Sequence, residues 1–281
     1  MFPALSFLAL LVSISQVAGE PDAAAKKANQ ASLERMMADL AQFEFSRDLE
    51  PPEKLKLSGE PVLRWNNPIR NVDDAAVFVW LSKDRPEMVA TVMSYRDGQK
   101  NLRRSYELLS VSQDKLSGMQ GGRRVWQPEK RAFTWREVPG ATAAADTAAQ
   151  RRRQMRDLAA KFQVAVEADK NRYELRLLAQ PLYRYENAKA DIVEGALYAF
   201  VEGTDPELIL ALETPRVGKS WKFATGRLTR WGIEVRYQDK VMNEFPQMSG
   251  PRDAEDAVYR ISDGGSLDDA QKSPSGPDKK P

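Results

Sequence analysis

Gly195-Ala196-Leu197-Tyr198-Ala199-Phe200-Val201, the turn Gly203-Thr204-Asp205-Pro206, and then Leu208-Ile209-Leu210-Ala211-Leu212 read as two strands joined by a tight connection. The second strand is apolar on both faces, which marks a central position in a sheet. The same pattern stands 120 positions earlier, in Ala75-Ala76-Val77-Phe78-Val79-Trp80-Leu81 and Met88-Val89-Ala90-Thr91-Val92. Working outward, Leu55-Lys56-Leu57 matches Leu175-Arg176-Leu177, Pro61 matches Pro181, Arg64-Trp65 matches Arg184-Tyr185, and Pro86-Glu87 matches Pro206-Glu207. An ungapped match of this length reads as a duplication.

Upstream, Met37-Ala38-Asp39-Leu40-Ala41 pairs with Met155-Arg156-Asp157-Leu158-Ala159, and Phe43 with Phe162. Both segments carry apolar residues at three- and four-residue steps and are expected to be helices packing on their own sheets. In the second copy, strands are expected over 173–185, 196–201, 208–214, 221–228 and 233–237, with Pro181 marking a kink or an edge position in the first. Turns are expected near Gly218 and at Gln238-Asp239. In the first copy, Ser117-Gly118-Met119-Gln120-Gly121-Gly122 is poor strand material. The expected fold class is therefore α+β: a tandem duplication of a unit made of one helix followed by a four- to five-stranded antiparallel meander.

The expected organisation is a signal peptide over 1–19, a loose lead-in over 20–30, a first repeat over 31–136 and a linker over 137–148. A second repeat over 149–247 and a disordered tail over 248–281 complete it. Met1 to Gly19 carries no charged side chain, contains Phe7-Leu8-Ala9-Leu10-Leu11-Val12, and ends in the small residues Val17-Ala18-Gly19. This is the pattern of a secretory signal. The rival reading, a membrane anchor, meets polar interruptions at Ser6, Ser13, Ser15 and Gln16. Export gives a secreted or periplasmic protein. The tail is rich in Gly, Pro, Ser, Asp and Lys and poor in the apolar residues that offset ordering entropy.

The chain has neither cysteine nor histidine. A disulfide framework, a Ser-His-Asp triad, a Cys-His pair and a typical zinc site are all excluded. No Gly-rich phosphate loop and no Gly-x-Ser-x-Gly elbow occurs. No cofactor is expected. The 42 basic and 40 acidic residues balance, which argues against nucleic acid as a partner.

The runs Leu175-Arg176-Leu177, Pro181-Leu182-Tyr183-Arg184-Tyr185 and Gly195 through Glu207 resemble a family of uncharacterised exported bacterial proteins. The resemblance covers about residues 173–240 and implies export, with no activity attached. By shape alone, a tandem helix-plus-meander looks like cystatin-like folds and the repeats of β-lactamase inhibitor proteins, an analogy that carries no function.

Carboxylates are the only conventional acids and bases left. Asp73-Asp74 and Asp191 with Glu194 recur at matching places before a strand, where a solvated turn is the ordinary reading; neither has calcium-loop spacing. The aromatic pairs Trp65/Tyr185, Phe78/Tyr198 and Trp80/Phe200 could stack on a glycan but are expected in the core. Arg151-Arg152-Arg153 with Arg156 forms a basic cluster at a helix start, expected as a solvated face or an ion-pair partner, with an anionic ligand as the sharper reading. If each helix covers one sheet face, Lys56, Arg64, Arg176, Arg184 and Arg236 fall on the other face as candidate partner-binding residues. They could engage an acidic protein or an anionic envelope polymer, or simply roof the sheet with their methylene stems. The expected function is an exported, non-catalytic binding or structural protein of the cell envelope, with a carboxylate-only hydrolase as the alternative.

Overall fold

A computed structural model describes residues 23–129, 131, 133–168, 171–215 and 220–267. The expected signal peptide and the turn at Gly218 lie outside these residues. The expected lead-in does not stay loose, because helix α1 already begins at Ala23 (Ala23–Leu40).

In the first half, α1 is followed by β1 (Phe43–Arg47), β2 (Glu53–Lys54), β3 (Lys56–Leu57), β4 (Leu63–Asn67), a 3-10 turn (Pro68–Arg70), β5 (Val72–Ser82), β6 (Arg85–Arg96), β7 (Leu102–Ser110), β8 (Leu116–Gln120) and β9 (Arg123–Trp126). A bridging strand β10 (Arg136–Glu137) leads to α2 (Ala148–Ala159). The second half then runs β11 (Phe162–Ala168), β12 (Asn171–Glu174), β13 (Arg176–Leu177), β14 (Tyr183–Asn187), a 3-10 turn (Ala188–Ala190), β15 (Ile192–Glu202), β16 (Asp205–Pro215), β17 (Lys222–Arg227), β18 (Gly232–Tyr237) and β19 (Lys240–Phe245). The last strand is β20 (Tyr259–Ser266).

These strands form four antiparallel sheets, and the protein is mostly β. The expected α+β unit of one helix and one meander is therefore wrong. Only β5–β6–β7 and β15–β16–β17 run as meanders. The strand after each helix leaves them and pairs with a late strand, β1 with β8 and β11 with β18. Each half so builds a small sheet, in the order β2-β1-β8-β9 or β12-β11-β18-β19, beside a large one. The segment at Ser117 that looked poor is strand β8. Its Gly118 is needed because a Cβ there would stand 2.9 Å from the Phe45 ring.

Alternation along the long strands separates the layers. Val77, Val79 and Leu81 of β5 meet Leu197, Ala199 and Val201 of β15 in one core between the two large sheets. Ala76, Phe78 and Trp80 point the other way, onto α1 and the small sheet with Met36, Phe45 and Trp126. Ala196, Tyr198 and Phe200 do the same toward α2, with Met155, Phe162 and Val235. Four layers result, with the helices and small sheets outermost. The aromatic pairs singled out in the sequence are all buried.

The halves also exchange strands. β10 follows the first half yet pairs with β17 of the second; β20 follows the second half yet pairs with β7 of the first. The tail over 248–281 was expected to be disordered; its part beyond 267 lies outside the described residues, but Tyr259–Ser266 closes a six-stranded sheet, with Tyr259 buried. Its Gly and Ser content hid a strand whose order comes from the open edge of β7.

Burial also corrects the helix alignment by one residue. Met36 and Met155 are both fully buried, and α1 and α2 end the same distance before Phe43 and Phe162. Met36, not Met37, is thus the counterpart of Met155. No helix among the described residues is long and apolar enough to cross a membrane.

Candidate functional sites: an acidic cleft and a basic pocket

The large sheets leave a cleft of about 410 Å³ where the halves meet. Its polar wall begins at the 3-10 turn after β4. Pro68 opens that turn, the Asn67 side chain accepts from the Arg70 amide (3.3 Å), and Asn71 at φ 56° ends it. Arg70 is thereby aimed at the β15–β16 hairpin of the other half. It donates to Asp205 (2.8 Å), Glu207 and Glu202. Glu107 on β7 accepts from the Tyr259 hydroxyl (2.6 Å), a bond that β20 brings into place. Burial pushes the Glu107 carboxyl up to about 8, with Asp205 and Glu207 adding repulsion. Burial also raises Asp205, with repulsion from Glu207, and Glu207, with repulsion from Glu202, while Arg70 opposes both shifts.

A related cluster lies across the central core. Tyr185 donates to Glu213 (2.6 Å), Arg85 reaches the same carboxylate (3.1 Å), and Glu87 is buried with its Oε2 unpaired. Glu87 and Glu207 are the Pro-Glu carboxylates of the two copies. A carboxylate repeated inside an apolar strand was a signal the sequence offered. Nothing in it pointed to Arg70, which meets its carboxylates where the halves pack, or to Glu107 and Tyr259, which meet only through the pairing of β20 with β7.

The second site is a basic pocket of about 330 Å³ beside α2. Thr147 caps this helix by accepting from the Gln150 amide (3.3 Å). Arg152, Arg153 and Arg156 project from α2, Arg184 from β14, and Tyr198 of β15 lies beneath them. Tyr198 is 1% exposed, and its hydroxyl makes no well-formed hydrogen bond. Glu194 is buried and lies 3.5 Å from Arg151 and 3.6 Å from Arg152, beyond hydrogen-bond length. Asp157 stands 3.9 Å from Arg153 and 3.7 Å from Arg156. Glu194, read from sequence as part of a solvated turn, is instead inside strand β15 under the helix.

The candidate residues do not form one row. The sheet faces expected to carry it are the central core. Arg64 lies beside α1, where it forks onto Asp74 (2.9 and 2.7 Å) and donates to the Asn29 carbonyl (2.7 Å). Arg184 lies beside α2. Lys56 is exposed on β3, and Arg176 is exposed on β13 with a bond to the Gly203 carbonyl (2.9 Å). Arg236 sits on the small sheet, bonded to Glu234 (2.7 Å). Of the five, only Arg184 joins the other arginines. Among the described residues, no group of acidic side chains is arranged to hold a metal ion. No family model, curated protein or solved structure matches the chain.

Proposed function

We propose that the protein is an exported, non-catalytic binding protein of the cell envelope, and that its partner is an anionic polymer of that compartment. One observation carries this reading. Five guanidinium groups, Arg151, Arg152, Arg153, Arg156 and Arg184, gather about Glu194 and Asp157, and Arg184 has no ion-pair partner among the described residues. Such an excess raises the local concentration of polyanions, with a dependence on ionic strength. The signal-like N-terminus and the resemblance to exported proteins support the compartment. The test is retention of the full chain on immobilised dextran sulfate, with polyglutamate as the comparison. Arg184→Gln and Arg156→Gln should each lower the eluting salt, and Arg236→Gln should not. Preference for polyglutamate would assign an acidic protein surface as the partner. Equal elution of all variants would end the reading.

A carboxylate-only hydrolase remains the second reading, favoured by Glu107 and Asp205, two acids raised by burial along one cleft. Glycoside cleavage needs an acid and a base on opposite sides of the bond. Here Arg70 holds Asp205, and Tyr259 holds Glu107. Polysaccharide hydrolysis that disappears in Glu107→Gln and Asp205→Asn would establish it.

A further inference from the structure

We propose that the pocket framed by Arg152, Arg153, Arg156 and Arg184 over Tyr198 is a seat for one tetrahedral oxyanion group, a phosphoryl or sulfuryl substituent of the partner. The inference rests on the anionic-partner reading above and gives it a chemical class.

The first half of the chain supplies the comparison. With the helices aligned on Met36 and Met155, the counterparts of Arg151, Arg152, Arg153 and Arg156 are Ser32, Leu33, Glu34 and Met37. Arg184 corresponds to Arg64, and Tyr198 to Phe78. In the first half this place is closed. Leu33 and Met37 pack on the core that contains Phe78. Ser32 donates to Asp74 (2.5 Å), and Asp74 takes both nitrogens of the Arg64 fork. In the second half the apolar contacts are replaced by Arg152 and Arg156. The carboxylate has turned to Arg151 and Arg152, and Arg184 is left without a carboxylate, beside the Tyr198 hydroxyl.

Every change points to a ligand. The ion pairs of the α2 arginines, at 3.5–3.9 Å, are too long to be hydrogen bonds; Arg151 donates instead to the Ala145 (3.2 Å) and Asp146 (2.8 Å) carbonyls, and most donors of Arg152, Arg153 and Arg156 are left to bond something else. Arg151, Arg152 and Arg153 occupy the first half of α2, where the helix dipole disfavours cations and the first turn holds no acidic residue, whereas Arg156 stands in the last turn. A bound anion would relieve both the crowding of like charge and the dipole. Tyr198 adds a buried hydroxyl whose polar neighbour is Arg184 and which makes no well-formed hydrogen bond, at a position where Phe78 shows that a plain ring packs equally well. Burial keeps its proton on, so it remains a donor.

The geometry favours a tetrahedral group over a carboxylate. Donors converge from three directions: α2 on one side, β14 on another, and the Tyr198 floor. A planar carboxylate is satisfied by a single guanidinium fork, as Asp74 is by Arg64. The volume suits a single substituent and its attachment point, so a polymer would present one group here and pass over the surface.

The test titrates inorganic phosphate, sulfate and acetate into the full chain at constant ionic strength, followed by calorimetry and thermal unfolding. Phosphate or sulfate should bind at one saturable site and raise the unfolding midpoint, and acetate should not. The tighter of the two assigns the ester. Arg184→Gln should weaken binding at least tenfold and Tyr198→Phe several-fold, while Arg236→Gln matches the parent. Tyr198→Phe should fold at least as stably as the parent in anion-free buffer, which separates ligand loss from misfolding. Parent-like affinity in both pocket variants, or several equal weak sites, would overturn the assignment. If Arg184→Gln still loosens dextran sulfate while no saturable small-anion site exists, the polyanion reading survives and this one falls. If neither assay responds, both fall.

Discussion

Arg64 and Arg184 hold one register position in two sheets: Arg64 pairs across β4–β5 with Ala76, and Arg184 across β14–β15 with Ala196. Only Arg64 closes a fork on a carboxylate. The same residue is thus a fastener for a helix in one half and an unspent charge in the other.

That difference has a stability signature. Arg64→Gln removes the link from β4 to Asp74 and to the Asn29 carbonyl of α1, and should cost about 1 kcal/mol, since the pair is partly exposed. Arg184→Gln should stay within about 0.5 kcal/mol of the parent, or stabilise slightly, because it relieves like-charge crowding. Denaturant unfolding of the two single variants checks this, and equal losses would contradict the asymmetry.

Glu107 makes stability depend on pH. Its folded carboxyl titrates near 8 against an ordinary 4.5, so between those values the folded state holds a proton that the unfolded chain has released. Stability contributed by this group is present below about 4.5 and is lost as pH rises through 8. Glu107→Gln keeps an acceptor for Tyr259 and should flatten the decline. Unfolding midpoints at pH 5 and pH 8 measure it; an unchanged slope would show that Glu107 does not govern it.

Gly195 has a single steric duty. A Cβ there would lie 2.5 Å from the Tyr185 ring, which would have to leave its buried bond to Glu213. Gly195→Ala should cost about 1–3 kcal/mol. The converse change at the counterpart, Ala75→Gly, should cost only the entropy and lost packing of one methyl, since Trp65 is seated there already. Comparable losses at the two positions would remove the steric explanation.

Truncation after Asp256 removes β20, uncovers the edge of β7, and leaves Glu107 buried without its Tyr259 partner. Roughly 3–5 kcal/mol should be lost, the scale of deleting a large buried aromatic. The exposed edge should also promote self-association. Light scattering and thermal unfolding report both effects, and a monomer of parent stability would contradict the role given to β20.

The doubled long strands were legible because β5–β6 and β15–β16 are local hairpins with continuous apolar runs. Arg184 was singled out in the sequence, and the Arg151–Arg156 cluster was noted as an anion candidate. What a linear pattern does not carry is which face meets what. Val77, Val79 and Leu81 were as apolar as Phe78 and Trp80, so sheet-on-sheet packing and helix-on-sheet packing looked alike. The acidic cleft was illegible for a related reason. Glu107 and Tyr259 are 152 positions apart and meet only because β20 crosses over. Strand exchange also bears on residues 148–247 taken as a fragment. Lacking β10 and the first half's sheet, it would expose the face of Leu197, Ala199 and Ile209 and should associate with itself.

The reciprocal strands β10 and β20 also set a clock for folding. Synthesis delivers β10 long before its partner β17 exists, and delivers β20 as the final element of the fold. Until that moment β7 has a bare edge and Glu107 no hydroxyl to bind. The second half has its borrowed strand waiting when β17 is made, whereas the first half must wait for β20, so the half begun first is the half completed last.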